Sequence, residues 1–444
     1  SLNGSKLGEI RLDKKTGYRI AILEIPKQSG THDLYLSYKN EKLSEKNQEF
    51  GLLFYWIGFM PEFPGKNENQ FSTYHRLFKE VVTMGVPATP IILENPANRW
   101  RKTKVFDRGN WLTQTKEVEP GVPQIFNAAM PADAPDNRMG LAMWLSDKQN
   151  PLVSRTIVNR LWEQLFGTGI VETLEDLGTQ GLLPTHREML DHLSWKLMHE
   201  HNWSLKKLLK EMVMSATYRQ DSRLTEEMKE KDMFNRYYAR GPRVRLTAEQ
   251  LRDQGLCISG SLSRKMYGPG VMPWQPDGIW LSPYNGSRWV NSRAEDQYRR
   301  AVYTYWKRSS PYPSMITFDG TQRVVCNARR IRTNTPLQAL VTLNDSTYLN
   351  MARHLAFRLK TNADTSITGR IKKAYEQMLF KQIPDAKLMA FSELYHTALS
   401  EFKGDAERTC EMVGINDSNN NPETAALVVV ANAMLNMDEI VTKN

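Results

Sequence analysis

The chain announces helix starts repeatedly. Asn150-Pro151, Thr185 with Glu188, Ser204, Thr247 with Gln250, and Thr335-Pro336 with Gln338 each place a small polar acceptor where a helix leaves backbone N–H groups free. Proline at the first helical position, or Glu or Gln three residues on, strengthens four of these signals. Apolar residues at helical spacing follow the first start (Ile157, Leu161, Leu165, Phe166), the second (Leu190, Leu193, Leu197) and the third (Leu205, Leu208, Leu209, Met212, Val213). Leu251 follows the fourth start, and Leu337, Leu340 and Val341 are the residues the fifth helix is expected to bury. Gly167 and Gly169 end the first of these helices, and Asn344-Asp345 the last. A short apolar helix at Leu141–Leu145 precedes them, and Tyr348–Leu359, Ile371–Phe380, Lys387–Phe402 and Ala425–Leu435 follow. No period of 20–50 residues recurs, which excludes a solenoid. Residues 138–444 are therefore expected to form an irregular multi-helix domain, and the fold class is mainly α.

The beginning of the chain reads differently. Residues 18–25 alternate as a strand, Gly30-Thr-His-Asp33 is a turn, and 34–38 and 51–59 read as two more strands. GTHDLYLSYKN followed by GLLFYWIGF resembles the last strands of carbohydrate-binding β-sandwich modules. Residues 1–62 are accordingly expected to be the C-terminal strands of such a partial β-sandwich, whose earlier strands would lie upstream of this chain. Residues 63–137 are rich in proline, glycine and asparagine and lack strong periodicity. They read as a connector with short strands at 88–93 and 105–108, of the kind that drapes over a neighbour or carries function.

Composition narrows the function classes. A net charge of +10 is spread among interleaved charges of both signs, unlike the basic block or stripe of a nucleic-acid binder, so no nucleic-acid partner is expected. An acidic polysaccharide or a negatively charged surface fits the charge equally well. Cys257, Cys326 and Cys410 are far apart, with no CxxC and no CxxCH, so the chain itself offers neither a zinc knuckle nor a covalent haem site. The longest apolar run, 51–60, is too short to cross a bilayer. Walker A, GxGxxG, HExxH and GxSxG are absent, which argues against nucleotide, dinucleotide, zincin and serine-hydrolase chemistry.

Four constellations could carry chemistry. The first is the stretch 318–345, with Arg323, Arg329, Arg330 and Arg332 and no acid between Asp319 and Asp345. Its guanidinium groups, with Asp319, Asn344 and Asp345, suit bidentate recognition of carboxylate, sulfate or phosphate beside a helix N-terminus; the alternative is that they tie loops together. The second is Arg245 to Asp253, where Glu249 and Asp253 are four apart on a helix with Arg245 and Arg252 nearby. Paired acids could do general acid–base work on a glycosidic bond, or form an ion-pair network. The third is the loop 267–291, where Trp274, Trp280, Tyr284 and Trp289 stand near Asp277 and could meet a sugar or simply close the loop. The fourth is His186, a lone histidine in the first turn of its helix; His192 and His199 are seven apart, too far for one metal without a bend, so no metal site is expected.

The order of motifs carries a further resemblance. TPIILENPANRWRKTKVFDRGNW and PGVP precede NPLVSRTIVNRLWEQLFGTGIVETLEDLG, GLLPTHREMLDHLSW and SATYRQDS. RLTAEQLRDQGLCISG, YGPGVMPWQPDGIW, QYRRAVYTYWKR, FDGTQRVVCNARRIRTNTPLQALVTLND and LNMDE come after. This series, over roughly residues 88–440, resembles the C-terminal domain of the planctomycete-type cytochrome-c-associated proteins, a domain of unknown function. The resemblance implies an extracytoplasmic setting, in the periplasm or at the cell surface, with a parent protein that can be membrane-anchored. It also implies a haem c domain upstream as a partner in the same protein, and no cofactor in this chain. It carries over no catalytic residues. The expected role is recognition or processing of a polysaccharide-derived ligand, using Arg245, Arg323, Arg329, Arg332, Asn344, Asp345, Trp274, Trp280 and Trp289. Two alternatives stay open. One is an enzyme, either redox-active with the upstream haem or a carbohydrate-active hydrolase with Glu249, Asp253 and Asp319 as acid–base candidates. The other is a structural subunit docking partners in an outer-membrane complex.

Overall fold

A computed structural model describes residues 6–11, 21, 23–26, 30, 32, 34–38, 57, 68–84, 89, 91–93, 95, 100–280, 288–361, 366–415 and 417–443. The chain forms two compact units, Ser1–Arg101 and Lys102–Asn444. In the first, α1 (Glu68–Thr83) lies inside the stretch read as a connector, and Arg76 and Glu80 pair along it at 2.9 Å. Of the strands expected at 18–25 and 51–59, residues 18–20, 22, 51–56, 58 and 59 lie outside the described residues, and 21, 23–25 and 57 are described and lie in no strand. Residues 34–38 and 91–93 are described and lie in no strand.

The second unit begins with a hairpin, β1 (Thr103–Asp107) and β2 (Asn110–Val118). Arg108 and Gly109 both take positive φ between the paired Asp107 and Asn110, the geometry of a two-residue primed turn. The strand expected at 105–108 is thus the end of β1 and its turn. Helices then follow: α2 (Arg138–Ser146), α3 (Pro151–Phe166), α4 (Arg187–His199), α5 (Leu205–Met214) and α6 (Glu226–Asp232). After β3 (Val244–Arg245) come α7 (Ala248–Ser259), α8 (Pro313–Thr317), α9 (Pro336–Asn344), α10 (Ser346–Lys360) and α11 (Ile367–Leu379). The chain closes with α12 (Asp385–Phe402), α13 (Ala406–Val413), α14 (Pro422–Leu435), α15 (Asp438–Val441) and β4 (Thr442–Lys443). Helix dominates, as the capping signals predict.

Three apolar clusters hold the second unit. One gathers α10 to α15 around α14, whose Ala425, Leu427, Val428, Val430, Ala431 and Met434 are buried nearly all round, as a helix without a polar face must be. Another joins α3, α4 and α5 through Trp162, Phe166, Leu193, Leu197 and Leu208. The third packs α7 and α8 against Tyr348 and Met351 of α10.

The caps at Asn150, Ser204, Thr247 and Thr335 form as expected, with Thr247 and Gln250 completing a reciprocal box. Two details differ. Thr185 does not cap α4; His186 occupies that position, and the Thr185 hydroxyl donates to Ile170 O. Gln338 does not close a box with Thr335, because its amide donates to Thr317 O at 3.0 Å.

Two helix faces are rotated from expectation. On α3 the buried residues are Ser154, Val158, Asn159, Trp162, Glu163 and Phe166, while Ile157, Leu161 and Leu165 are half-buried. On α9 the buried residues are Gln338 and Thr342, and Leu337 and Leu340 are 58% and 56% exposed. Gln338 Nε2 turns inward to donate to Thr317 O, Asp319 and Thr333 Oγ1, and these bonds rather than the leucines occupy the buried face.

Candidate functional site

The C-terminal end of α3 meets β3 through one glycine. Gly167 ends α3 at φ 82°, and a Cβ on it would sit 2.6 Å from Val244 Cγ2. Such an approach requires a residue without a side chain. β3 is held by β4, with Val244 opposite Lys443 and Arg245 opposite Thr442. Lys443 Nζ also donates to Leu165 O at 2.9 Å and lies 3.9 Å over the Tyr218 ring, closing the helix end with a cation.

A strap from Gly320 to Asn334 comes in from the other direction, bound by its arginines. Arg323 lies 4.5 Å over the Trp306 ring. Arg329 donates to Glu172 O at 3.2 Å and pairs with Glu175 at 3.0 Å. Arg330 grips Glu249 with two hydrogen bonds of 2.6 and 3.0 Å, and Arg332 donates to Arg245 O at 3.0 Å. At the strap's base Asp319, itself at φ 61°, accepts from Thr333 N at 2.7 Å, from Thr333 Oγ1 and from Gln338 Nε2.

Between these elements opens a cleft of about 450 Å³, lined by Glu163, Arg240, Arg243, Arg245, Arg330 and Arg332, with Phe234 exposed at its rim. Its cations are unequally engaged. Arg240 donates to Asp232 O and Met233 O, closing α6; Arg243 pairs with Asp438; Arg330 is held by Glu249. The half-buried Arg245 side chain has no hydrogen-bonding or ion-pair partner among the described residues. Burial pulls the half-buried Arg332 guanidinium below its ordinary pKa, with Glu163 opposing the shift and Arg330 adding to it.

Among the described residues Glu163 is the single acid lining the cleft, and it is 6% exposed. It accepts from Gln164 Nε2 at 2.6 Å, and among the described residues no arginine comes within ion-pairing distance of it. Burial raises its carboxyl above the ordinary value, against the opposing pull of Arg332, the Gln164 hydrogen bond and Arg329. Lys443 is pushed down to about 8 by burial and by Arg332. An anion can be held here by Arg245 and Arg332, beside a carboxyl able to accept a hydrogen bond or carry a proton.

Of the residues singled out in the sequence, Arg245, Arg330 and Arg332 come together in this cleft. Arg323 and Arg329 bind the strap outside its lining. Glu249 and Asp253 are each engaged separately on α7. Burial pushes the Glu249 carboxyl up more than any one neighbour pulls it down, but the Arg330 hydrogen bonds and charge, a backbone N–H and Thr247 together hold the pKa low. Asp253 accepts from Ala301 N at 2.6 Å and pairs loosely with Arg300 at 3.5 Å. Asn344 Nδ2 donates to Leu340 O, and Asp345 caps α10 by accepting from Thr347 N.

The aromatic loop forms its own cluster. Trp280 and Trp289 pack edge to face at 5.2 Å, and Trp289 stacks with Tyr312 at 5.9 Å. Their indole N–H groups donate to Ser310 O and Pro273 O, while Trp274 O accepts from the Tyr312 hydroxyl. Lys307 lies 4.3 Å over the Trp280 ring. Tyr284 lies outside the described residues. His186 sits against Tyr238 with ring centroids 5.4 Å apart, and His199 stacks on Trp195 at 4.9 Å. Among the described residues no group of three or more His, Cys, Asp or Glu could hold a metal ion, and no helix is long and apolar enough to cross a membrane.

Glu163 is the residue that sequence reasoning passed over. With Ile157, Leu161 and Leu165 as the core stripe, Glu163 points to solvent; with Val158, Trp162 and Phe166 it flanks the core. The available signal was Asn159, four residues earlier on the same face, whose side chain bridges Val171 N and O at 2.8 and 2.9 Å. Two polar residues one turn apart beside a tryptophan mark a polar seam in a buried helix.

A family model described as PSD1, protein of unknown function (DUF1553), matches residues 137–395, more than half of the chain. No curated protein and no solved structure matches it.

Proposed function

Since this protein belongs to the PSD1 (DUF1553) family, we propose a role for it from the cleft itself: recognition of an anionic group on a polysaccharide-derived ligand. The observation that carries this reading is Arg245. It lines an open cleft without a partner among the described residues, while Arg240, Arg243 and Arg330 beside it are each satisfied within the protein. A guanidinium left free in a cleft is set up to take a carboxylate or sulfate, with Arg332 as the second donor. Phe234 at the rim offers an aromatic face of the kind that packs on a sugar ring.

The exported setting and the upstream haem partner belong to the same proposal and rest on the resemblance of motifs. Intact mass and haem absorbance of the natively purified protein test them: a species without covalent haem would remove the haem partner.

The cleft is tested by calorimetric titration of the full chain with sulfate and with galacturonate at low salt. Arg245→Gln and Arg332→Gln are each expected to weaken binding at least about tenfold, the worth of one charge-assisted hydrogen bond. Arg323→Ala, outside the cleft, is expected to leave it unchanged. Binding that persists in Arg245→Gln, or no binding of either anion by the wild type, would sink the proposal.

A further inference from the structure

Glu163 presents a physical problem that the anion reading alone leaves unsolved. A carboxyl in a cleft lined by five arginines should be drawn into an ion pair, since an unpaired buried charge is expensive. Instead four of the five arginines are engaged elsewhere, and the fifth, Arg245, forms no ion pair with Glu163 among the described residues. Arg330 is committed to Glu249 by two hydrogen bonds, Arg243 to Asp438, and Arg240 to the Asp232 and Met233 carbonyls. Arg332 donates to the Arg245 carbonyl. Glu163 therefore faces the cleft with one protein donor, Gln164, on one of its two oxygens. Bidentate carboxylates have about four acceptor positions, so this one keeps acceptor capacity at a buried site.

A bare anion is poorly served by such a group. Sulfate or a simple carboxylate held by Arg245 and Arg332 would have a like charge in the same cleft. A ligand carrying a hydroxyl next to its anionic group removes that conflict, because the hydroxyl can donate to Glu163 while the anion takes the guanidinium groups. From this we infer that Glu163 is a specificity-determining residue that selects hydroxy acids of the sugar-acid type over anions without a neighbouring donor. The inference rests on the anion-binding reading of the cleft and adds to it the chemical class of ligand.

The discrimination follows a general rule: a site built to hydrogen-bond a ligand hydroxyl rejects the analogue that lacks it, because the buried acceptor is then left unpaired. Glu163→Gln keeps the shape, removes the like charge and weakens the acceptor. Two opposite changes are expected from that single substitution. Affinity for sulfate should rise, and the preference for the sugar acid should shrink.

The experiment titrates galacturonate, propionate and sulfate into the full chain, wild type and Glu163→Gln, by calorimetry at one pH and ionic strength. In the wild type galacturonate is expected to bind at least about tenfold tighter than propionate, as one hydrogen bond to a charged acceptor allows. In Glu163→Gln that ratio is expected to fall several-fold while sulfate binds more tightly. Equal wild-type affinities for galacturonate and propionate would overturn the inference even if the variant failed to fold. An unchanged ratio in a folded Glu163→Gln would overturn it as well. The two proposals fail differently: binding of all three anions without preference, lost in Arg245→Gln, removes the selectivity and keeps the cleft. Absence of binding by the wild type removes both.

Discussion

Replacing Gly167 by alanine tests the junction that builds the cleft. The substitution has two separable consequences. At φ 82° an alanine occupies the left-handed region, at about 1–2 kcal/mol. Its Cβ would also lie 2.6 Å from Val244 Cγ2, and a short β-branched side chain has little freedom to withdraw. Overpacking of that kind adds about 1–3 kcal/mol, so Gly167→Ala is expected to destabilise the second unit by about 2–5 kcal/mol. Truncating Val244 to alanine distinguishes the two parts. The next atom, Val244 Cβ, is 3.7 Å from the added methyl, an ordinary contact. On the Val244→Ala background, Gly167→Ala should therefore show only the backbone part, with a coupling of about 1–3 kcal/mol between the two substitutions. Urea unfolding followed by tryptophan fluorescence reads this directly, since Trp162 stacks on Phe166 at 4.0 Å, next to Gly167. A Gly167→Ala effect below about 0.5 kcal/mol, or no coupling in the cycle, would refute the claim that glycine sets the approach of β3 to α3.

Further predictions concern charge, strap and helix face. In Glu163 the raised carboxyl pKa means that the ionised form opposes folding at pH above that value, and the opposition disappears as the pH falls through it. Glu163→Gln should raise the melting temperature near pH 8 and lose that advantage towards pH 4.5, the group's ordinary value; a pH-independent difference would count against this. For Lys443, depressed to about 8 from an ordinary 10.5, the penalty on the charged form is relieved as pH rises between those values, so stability should gain there. Lys443→Met should flatten that part of the stability profile; the same rise in the variant would exclude Lys443 as its source. Asp319→Ala removes the acceptor for Thr333 N, Thr333 Oγ1 and Gln338 Nε2 and should speed tryptic cleavage within the strap several-fold, with unchanged digestion as the contrary result. On α9 the rotated face predicts that Leu340→Lys changes stability by less than about 0.5 kcal/mol, whereas Gln338→Ala costs about 2 kcal/mol; the reverse order in thermal unfolding would restore the leucine face as the buried one.

What the sequence made legible was decided within a few residues. The caps at Asn150, Ser204, Thr247 and Thr335 depend on a side chain reaching a backbone N–H two or three positions ahead. Such interactions need no knowledge of the rest of the fold. Arg245, Arg330 and Arg332 were legible as arginines able to hold an anion, but their shared cleft was not. The segment 243–245 and the strap are brought together by the close approach at Gly167 and by the Arg332 bond to Arg245 O.

Local chemistry thus determined that the chain is mainly helical, where most helices begin, and which stretch is rich in arginine. Tertiary structure decided which face of each helix turns inward and which arginines are already satisfied. A rotation of one residue along α3 moves Glu163 from solvent to a buried cleft, and on α9 it exchanges leucine burial for the Gln338 hydrogen bonds. Helical periodicity spreads apolar residues over a stripe wide enough to permit either rotation. The choice falls to partners distant in sequence: Val171 for Asn159, Thr317 for Gln338 and Val244 for Gly167.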